Sequence, residues 1–218
     1  MKLKWLGHSS FLLTATDGTR LLADPYVAGS YDGALRYARI TETADGVTIS
    51  HDHPDHAGFA DLTGNPRRVN GTGEFGIGAF RIRGYHTWHD NENGARRGAN
   101  VVYVFEADGL RLCHCGDLGH VLSADLAAAI GPIDVLLVPV GGLYTLDARG
   151  AHEVVRQLKA RVTIPMHFKT SQLGFAIAPV DEFLADQPRV TRLGMPEVEL
   201  DAELLPEEPE IWLLDHAL

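Results

Sequence analysis

Cysteine is scarce in this 218-residue chain. The only two, Cys113 and Cys115, flank His114. A Cys-x-Cys disulfide is sterically awkward, and two thiols build no disulfide framework. No further cysteine exists to complete a soft-metal site, so both are expected as reduced thiols on one face of a strand. Basic residues are also in deficit, 19 against 29 acidic ones, for a formal net charge of −10. A field of that sign repels phosphate backbones, which disfavours nucleic acid as a partner. Bound divalent cations would offset part of it near a metal site. Long apolar runs are missing too. The longest, around Val135 to Val140, suits a buried strand rather than a membrane span. The opening Met1-Lys2-Leu3-Lys4-Trp5-Leu6-Gly7-His8 has neither the apolar core nor the cleavage site of a signal peptide, so a cytoplasmic protein with no membrane partner is expected. Repeats, linkers and low-complexity tracts are absent. What remains is a 45% apolar composition, enough for one globular domain over residues 1–218.

The first half reads as short strands. Leu3 to Leu6, Phe11 to Thr14 and Leu21 to Ala23 are apolar runs, with Asp17-Gly18 as a hairpin turn. Val47 to Ser50, Phe80 to Tyr85, Val101 to Glu106 and Leu110 to Cys115 follow. The second half mixes helices in. Ser123 to Ile130 is a predicted helix with Ser123 as N-cap and Gly131-Pro132 as its stop. Asp134 to Val140 is a continuous apolar strand, and Asp147 to Ala160 a longer helix with Val154, Val155 and Leu158 as its buried stripe. Val162 to Met166, a short helix Val180 to Ala185 and a strand Ile211 to Leu214 complete the reading. Strands first, then strands with helices, predict an α/β chain of two packed sheets with helices outside, an αββα sandwich.

Eleven histidines are present, and their placement matters more than their number. His51, His53, Asp55 and His56 fall within six residues. In extended backbone His51, His53 and Asp55 project to one side, while His56 points elsewhere unless the chain turns at Pro54. Imidazole and carboxylate together suit borderline divalent metals, Zn2+ above all, with Mn2+ or Fe able to occupy the same donors. Each remaining candidate sits just past an apolar run: His86 and His89 after Phe80 to Tyr85, Asp117 after Leu110 to Cys115, His167 after Val162 to Met166. Residues at matching ends of neighbouring strands can meet at one edge of a sandwich.

His51-Asp52-His53-Pro54-Asp55-His56 resembles the H-x-H-x-D-H signature of the metallo-β-lactamase-fold superfamily. Trp5 to Phe11, Cys115 to His120 and Ile164 to Lys169 resemble its small branch of ascorbate-6-phosphate lactonase-like proteins, and the likeness runs over roughly residues 3 to 170. The resemblance implies two metal ions. His51, His53 and a third histidine would hold one, and Asp55, His56 and His167 the other, with Asp117 bridging. For the third histidine, His86-Thr87 resembles many superfamily members, whereas His89-Asp90 fits the small branch, so His89 is expected. Asp55 is implied to be a ligand that also handles the proton of the attacking water. His8, His86, His120 and Lys169 are candidate substrate contacts. Lys169 with Arg96 or Arg97 would suit an anionic small molecule.

The expected activity is therefore metal-dependent hydrolysis of a small ester, lactone, amide or phosphodiester. A nuclease of the same fold is the alternative, disfavoured by the charge and by the absence of room for an extra nucleic-acid arm. A non-catalytic metal-binding protein is the other alternative, weakened because every ligand position carries a competent residue. A redox di-iron centre would favour a carboxylate where this chain has His53.

Overall fold

Apolar residues alternating along short segments build two sheets in the computed structural model, which describes residues 1–218. The first sheet contains β1 (Lys2–Gly7), β2 (Ser10–Thr14), β3 (Arg20–Ala23), β4 (Gly46–Ile49) and β5 (Arg67–Asn70). The second contains β6 (Gly73–Ile77), β7 (Phe80–Trp88), β8 (Ala99–Ala107), β9 (Leu110–His114), β10 (Val135–Pro139), β11 (Val162–Met166) and β12 (Val190–Arg192). Then β13 (Glu197–Glu199) returns to the first sheet and β14 (Glu210–Leu213) to the second. The strand orders are β13-β1-β2-β3-β4-β5 and β12-β14-β11-β10-β9-β8-β7-β6.

Successive residues of a strand point to opposite faces, and the first sheet uses both. Leu3, Trp5, Phe11, Leu13 and Leu21 join the main core shared with the second sheet. Leu6, Leu12, Leu22, Val47 and Ile49 form a separate cluster with Tyr26, Leu35, Tyr37, Leu173 and Ile177. The segments covering that cluster have little helix. They include a single turn α1 (Ser30–Gly33), where Tyr31 and Asp32 take left-handed φ of 53° and 54°, and a 3-10 turn over Gly58–Asp61.

Regular helices flank the second sheet: α2 (Ala124–Ile130), α3 (Ala148–Leu158) and the short α4 (Asp181–Leu184). The α2 amide of Leu126 donates to the Ser123 hydroxyl, and Gly131 follows with φ of 74°, giving the predicted start and stop. In α3, Asp147 accepts from the Gly150 amide at 2.8 Å. Its buried stripe is Ala151, Val154 and Leu158, with Val155 only partly covered, because i, i+3 and i+7 face the sheet. The two cysteines are buried free thiols. No helix is long and apolar enough to cross a membrane.

Four strands have no counterpart in the sequence expectation: β5, β6, β12 and β13. All four are sheet edges. An edge strand needs no continuous apolar face, and charged residues there prevent further pairing, so its sequence carries little alternation. β7 also runs on to Trp88 instead of stopping at Tyr85.

Candidate metal centre

Parallel pairing decides where the chemistry collects. β3 and β4 run parallel, and so do β9, β10 and β11. Their C-terminal ends therefore open on one side of the sandwich. Asp24 follows β3, His51 follows β4, Asp117 follows β9 and His167 follows β11. The β1–β2 connection adds His8, and the end of β7 adds His89. Backbone bonds between sheets fix the edge: Val101 donates to Ser50 O at 3.0 Å and His167 to His8 O at 3.3 Å.

The segment after His51 is not extended. The amides of His56 and Ala57 both donate to His53 O at 2.9 Å, closing a turn at Pro54. The expectation that Asp55 would converge with His51 and His53 is thereby corrected. The donor atoms of His51, His53 and His89 cluster within 4.8 Å, and Asp55 turns with His56 toward His8 and His167 in a second such cluster. Asp117 lies between them. Its carboxylate is 3.0 Å from His56 Nε2, 3.0 Å from His89 Nε2, 3.3 Å from His167 Nε2 and 3.7 Å from His51 Nε2.

The fit to cations follows from where the imidazole hydrogens are held. His89 Nδ1 donates to the Tyr144 carbonyl at 3.1 Å. Ser50 Oγ donates to Asp24 Oδ2 and is left to accept from His51 Nδ1 at 2.9 Å. His56 Nδ1 donates to Asp24 Oδ2 at 2.7 Å. In the neutral rings all three Nε2 atoms are then acceptors: those of His56 and His89 face the acceptor-only Asp117 carboxylate at 3.0 Å, and that of His51 faces His53 Nδ1 at 3.1 Å. His56 Nε2 and Asp117 Oδ1 have no hydrogen-bond partner although buried. Donors on a tetrahedral zinc lie about 3.3 Å apart, from bonds of about 2.0–2.1 Å, which matches the observed spacings. Protons are a poor substitute, since several imidazoliums around one buried carboxylate repel one another.

Electrostatics agree. Burial, reinforced by the charge of His56, pushes His51 down to about 3. Burial works against a charge on His56 and on His89 as well, but Asp117 draws both above the ordinary imidazole value. Burial would raise Asp117, yet His167 and His56 hold it well below the usual carboxylate range. The centre is built to take up positive charge around Asp117.

A surrounding shell keeps the donors in place. Asn100 donates to Thr87 Oγ1 at 2.8 Å and to Cys115 O at 2.9 Å, and accepts from the Asp117 amide at 3.0 Å. Asp55 accepts from the Tyr31 hydroxyl at 2.8 Å and contacts His8 Nε2 at 3.0 Å. Burial opposes ionisation of Asp55, but His56 and His8 keep it far below its ordinary value. His8 itself is pushed down to about 4 by burial and by His167, despite Asp55. Asp90 accepts four backbone hydrogen bonds, from Glu92, Gly94, Arg96 and Arg97 at 2.8 to 3.0 Å, and shapes the loop after His89.

The cluster opens into a cavity of about 370 Å³ lined by Tyr31, Pro54, Arg97, Tyr144 and Phe175 together with His53, Asp55, His89, Asp117 and His167. None of the four expected substrate contacts lines it. His86 is exposed on β7, its ring against Trp88 at 4.3 Å, because the longer strand turns it outward. His120 Nε2 accepts from the Trp88 amide at 3.2 Å, bracing the strand that delivers His89. Lys169 Nζ donates to Leu173 O and Phe175 O and is engaged within its own loop. His8 reaches the centre through Asp55. Sequence reasoning missed Asp24, Ser50, Asn100, Tyr31, Tyr144 and Phe175. Asp24 alone had a usable signal, since it too follows an apolar run.

Comparison with known proteins agrees with this geometry. A family model described as a beta-lactamase superfamily domain matches residues 2–167. A UPF0173 metal-dependent hydrolase of Carboxydothermus hydrogenoformans is 30% identical over 198 residues, covering 78% of this chain and 85% of the relative. One from Nitratidesulfovibrio vulgaris is 33% identical, covering 78% and 80%. A crystal structure from Thermotoga maritima, of a candidate Zn-dependent hydrolase of the metallo-beta-lactamase superfamily, aligns with a TM-score of 0.81 at 38% identity, covering 98% of this chain and 97% of its own. The matched segment runs from β1 to the histidine that follows β11, and the chain belongs to the beta-lactamase superfamily, among its UPF0173-type metal-dependent hydrolases.

Proposed function

We propose that the chain is a two-metal hydrolase of a small molecule, cleaving an ester, lactone, amide or phosphodiester. One observation carries the reading: imidazole nitrogens of His51, His56, His89 and His167 converge on the buried Asp117 carboxylate at the floor of a cavity. His51, His53 and His89 would hold one cation, and Asp55, His56 and His167 the other, with Asp117 shared. The N/O donor set favours Zn2+ and accommodates Mn2+ or Fe. Such ions supply Lewis acidity and bring the pKa of a coordinated water to about 7.

The chain's own residues supply position and proton handling. Asp55 faces the cavity and takes up the proton of the attacking water. The hydrogen bonds from Tyr31 and His8 keep it ionised, and therefore able to receive a proton. The same bonds lower its basicity, so its contribution comes from placement. Tyr31, Tyr144 and Phe175 bound an apolar wall that excludes water around the substrate. A cavity of about 370 Å³ is near the lower end of the roughly 300–1,000 Å³ typical of small-molecule sites. Elemental analysis of purified protein, alongside a hydrolysis screen over lactones, acyl esters and phosphodiesters, tests the reading. Metal with turnover of at least one class is the expected result; metal-free, inactive protein after reconstitution would refute it.

A further inference from the structure

Arg97 is the only Lys or Arg among the residues lining the cavity. Neighbouring cations are committed elsewhere. Arg96 pairs with Glu92 at 2.6 Å, Arg68 with Asp52 at 3.2 Å, and Lys169 with loop carbonyls. The Arg97 guanidinium has no carboxylate partner and instead lies over the Tyr144 ring, 5.0 Å from its centroid. Both ends of this arrangement are fixed. The Arg97 amide donates to Asp90 at 2.8 Å, and the Tyr144 carbonyl accepts from His89 Nδ1. A guanidinium placed over an aromatic face, with no hydrogen-bond partner of its own, has N–H edges free, and those edges match a carboxylate or phosphate bidentately. Arg97 and His53 also line an adjoining depression of about 390 Å³, which places the guanidinium where the two spaces meet. Across the cavity, Tyr31 and Phe175 pack edge-to-face at 5.2 Å, and Tyr144 and Phe175 at 6.3 Å.

We propose that Arg97 is an anion-recognition residue, so that the substrate is a small molecule with a carboxylate or phosphate group separated from its scissile bond by a planar or apolar segment. The proposal rests on the hydrolase reading for the meaning of "substrate", but the anion subsite is testable without turnover. One end of the ligand meets the centre around Asp117. The intervening segment lies among Tyr31, Tyr144 and Phe175, and the anionic end takes the free edge of Arg97. Within a chain of net charge −10, a lone unpaired cation beside the centre also discriminates against neutral analogues, whose binding would leave the guanidinium without its ion partner.

The test is calorimetric binding of three probes, 3-carbamoylbenzoate, 3-carbamoylphenylphosphonate and the neutral benzene-1,3-dicarboxamide, to metal-loaded protein in low-salt buffer free of other carboxylates and phosphate. Native protein is expected to bind at least one anionic probe at least tenfold more tightly than the diamide, and the stronger of the two identifies the anion. Arg97→Gln is expected to erase that preference while diamide affinity stays within twofold. Arg97→Lys, which keeps charge but loses the fork, is expected to retain only part of it. Failure of native protein to bind any probe, equal affinity for all three, or a preference that survives in Arg97→Gln would overturn the proposal. If Arg97→Gln does not fold, an undiminished preference in Arg97→Lys overturns the bidentate site and a weakened one supports it. Metal content is measured on the same samples. Metal-free protein would defeat the hydrolase reading, while the probe comparison would still decide the role of Arg97.

Discussion

Asp24 is fully buried and does not line the cavity at the centre, yet it governs that centre through two neighbours. Its carboxylate takes the Nδ1 hydrogen of His56 and the hydroxyl hydrogen of Ser50, and Ser50 in turn orients His51. Partners of this kind fix the tautomer and raise the basicity of a ligand. Asp24→Asn is expected to weaken metal affinity about 10- to 100-fold, read by competition with a chelator of known affinity. His89 and His86 differ by location, one with its Nε2 on Asp117 and the other exposed on β7. His89→Asn should lose metal, whereas His86→Asn should match the native stoichiometry; equal loss from both would contradict the assignment. Asp55→Asn is expected to reduce kcat by about 10² to 10⁴ with a smaller effect on occupancy, measured by turnover and metal content on one preparation. The His51–His56 motif was legible because five metal-competent residues crowd into six positions. Tyr31, Tyr144 and Phe175 were not, because each comes from a separate irregular segment and no local pattern marks a wall assembled in space. Lys169 misled for a related reason: its position beside His167 says nothing about the loop carbonyls that engage it.

At the scale of elements, strand ends place the ligands and the turns after them set their aim. Gly116, between β9 and Asp117, has φ of 53°. A methyl there would meet Asn100 Oδ1 and approach Ser50 Cβ to 2.6 Å, pushing on the two side chains that hold Asp117 and His51. Gly116→Ala is therefore expected to lower both thermal stability and metal affinity, with circular dichroism and metal titration as the readouts. Retention of both at native values would show that the close packing around this turn is dispensable. Leu158, buried on α3 against the second sheet, is a control remote from the centre. Leu158→Ala should cost about 2–5 kcal/mol of folding stability while leaving metal stoichiometry unchanged. Helices α2 and α3 were readable from their caps and the central strands from continuous burial, whereas the single turn α1 had no sequence expectation, since its Tyr31 and Asp32 are left-handed rather than helical. The edge strands were hidden because Arg67-Arg68, Glu74, Arg192 and Glu197-Val198-Glu199 follow the needs of an exposed edge rather than those of a core.

For the molecule as a whole, metal binding and folding are coupled, because ligands from both sheets meet only in the folded chain. Free metal at about 1,000 times its dissociation constant contributes about 4 kcal/mol per site. Chelation is thus expected to lower the melting temperature by on the order of 10 °C, and restoring the ion should reverse the shift. The same architecture explains how an acidic chain presents a cation-seeking centre: Asp24, Asp55 and Asp117 gather at one edge, with imidazoles between them. The most direct test of the account is metal stoichiometry by mass spectrometry of chelator-stripped, reconstituted and desalted protein, native beside Asp117→Asn. Two equivalents of divalent metal per native chain, falling to one or none in the variant, is the result expected if Asp117 is shared between two ions. A native chain that holds fewer than two, or a variant that still holds two as tightly, would contradict it.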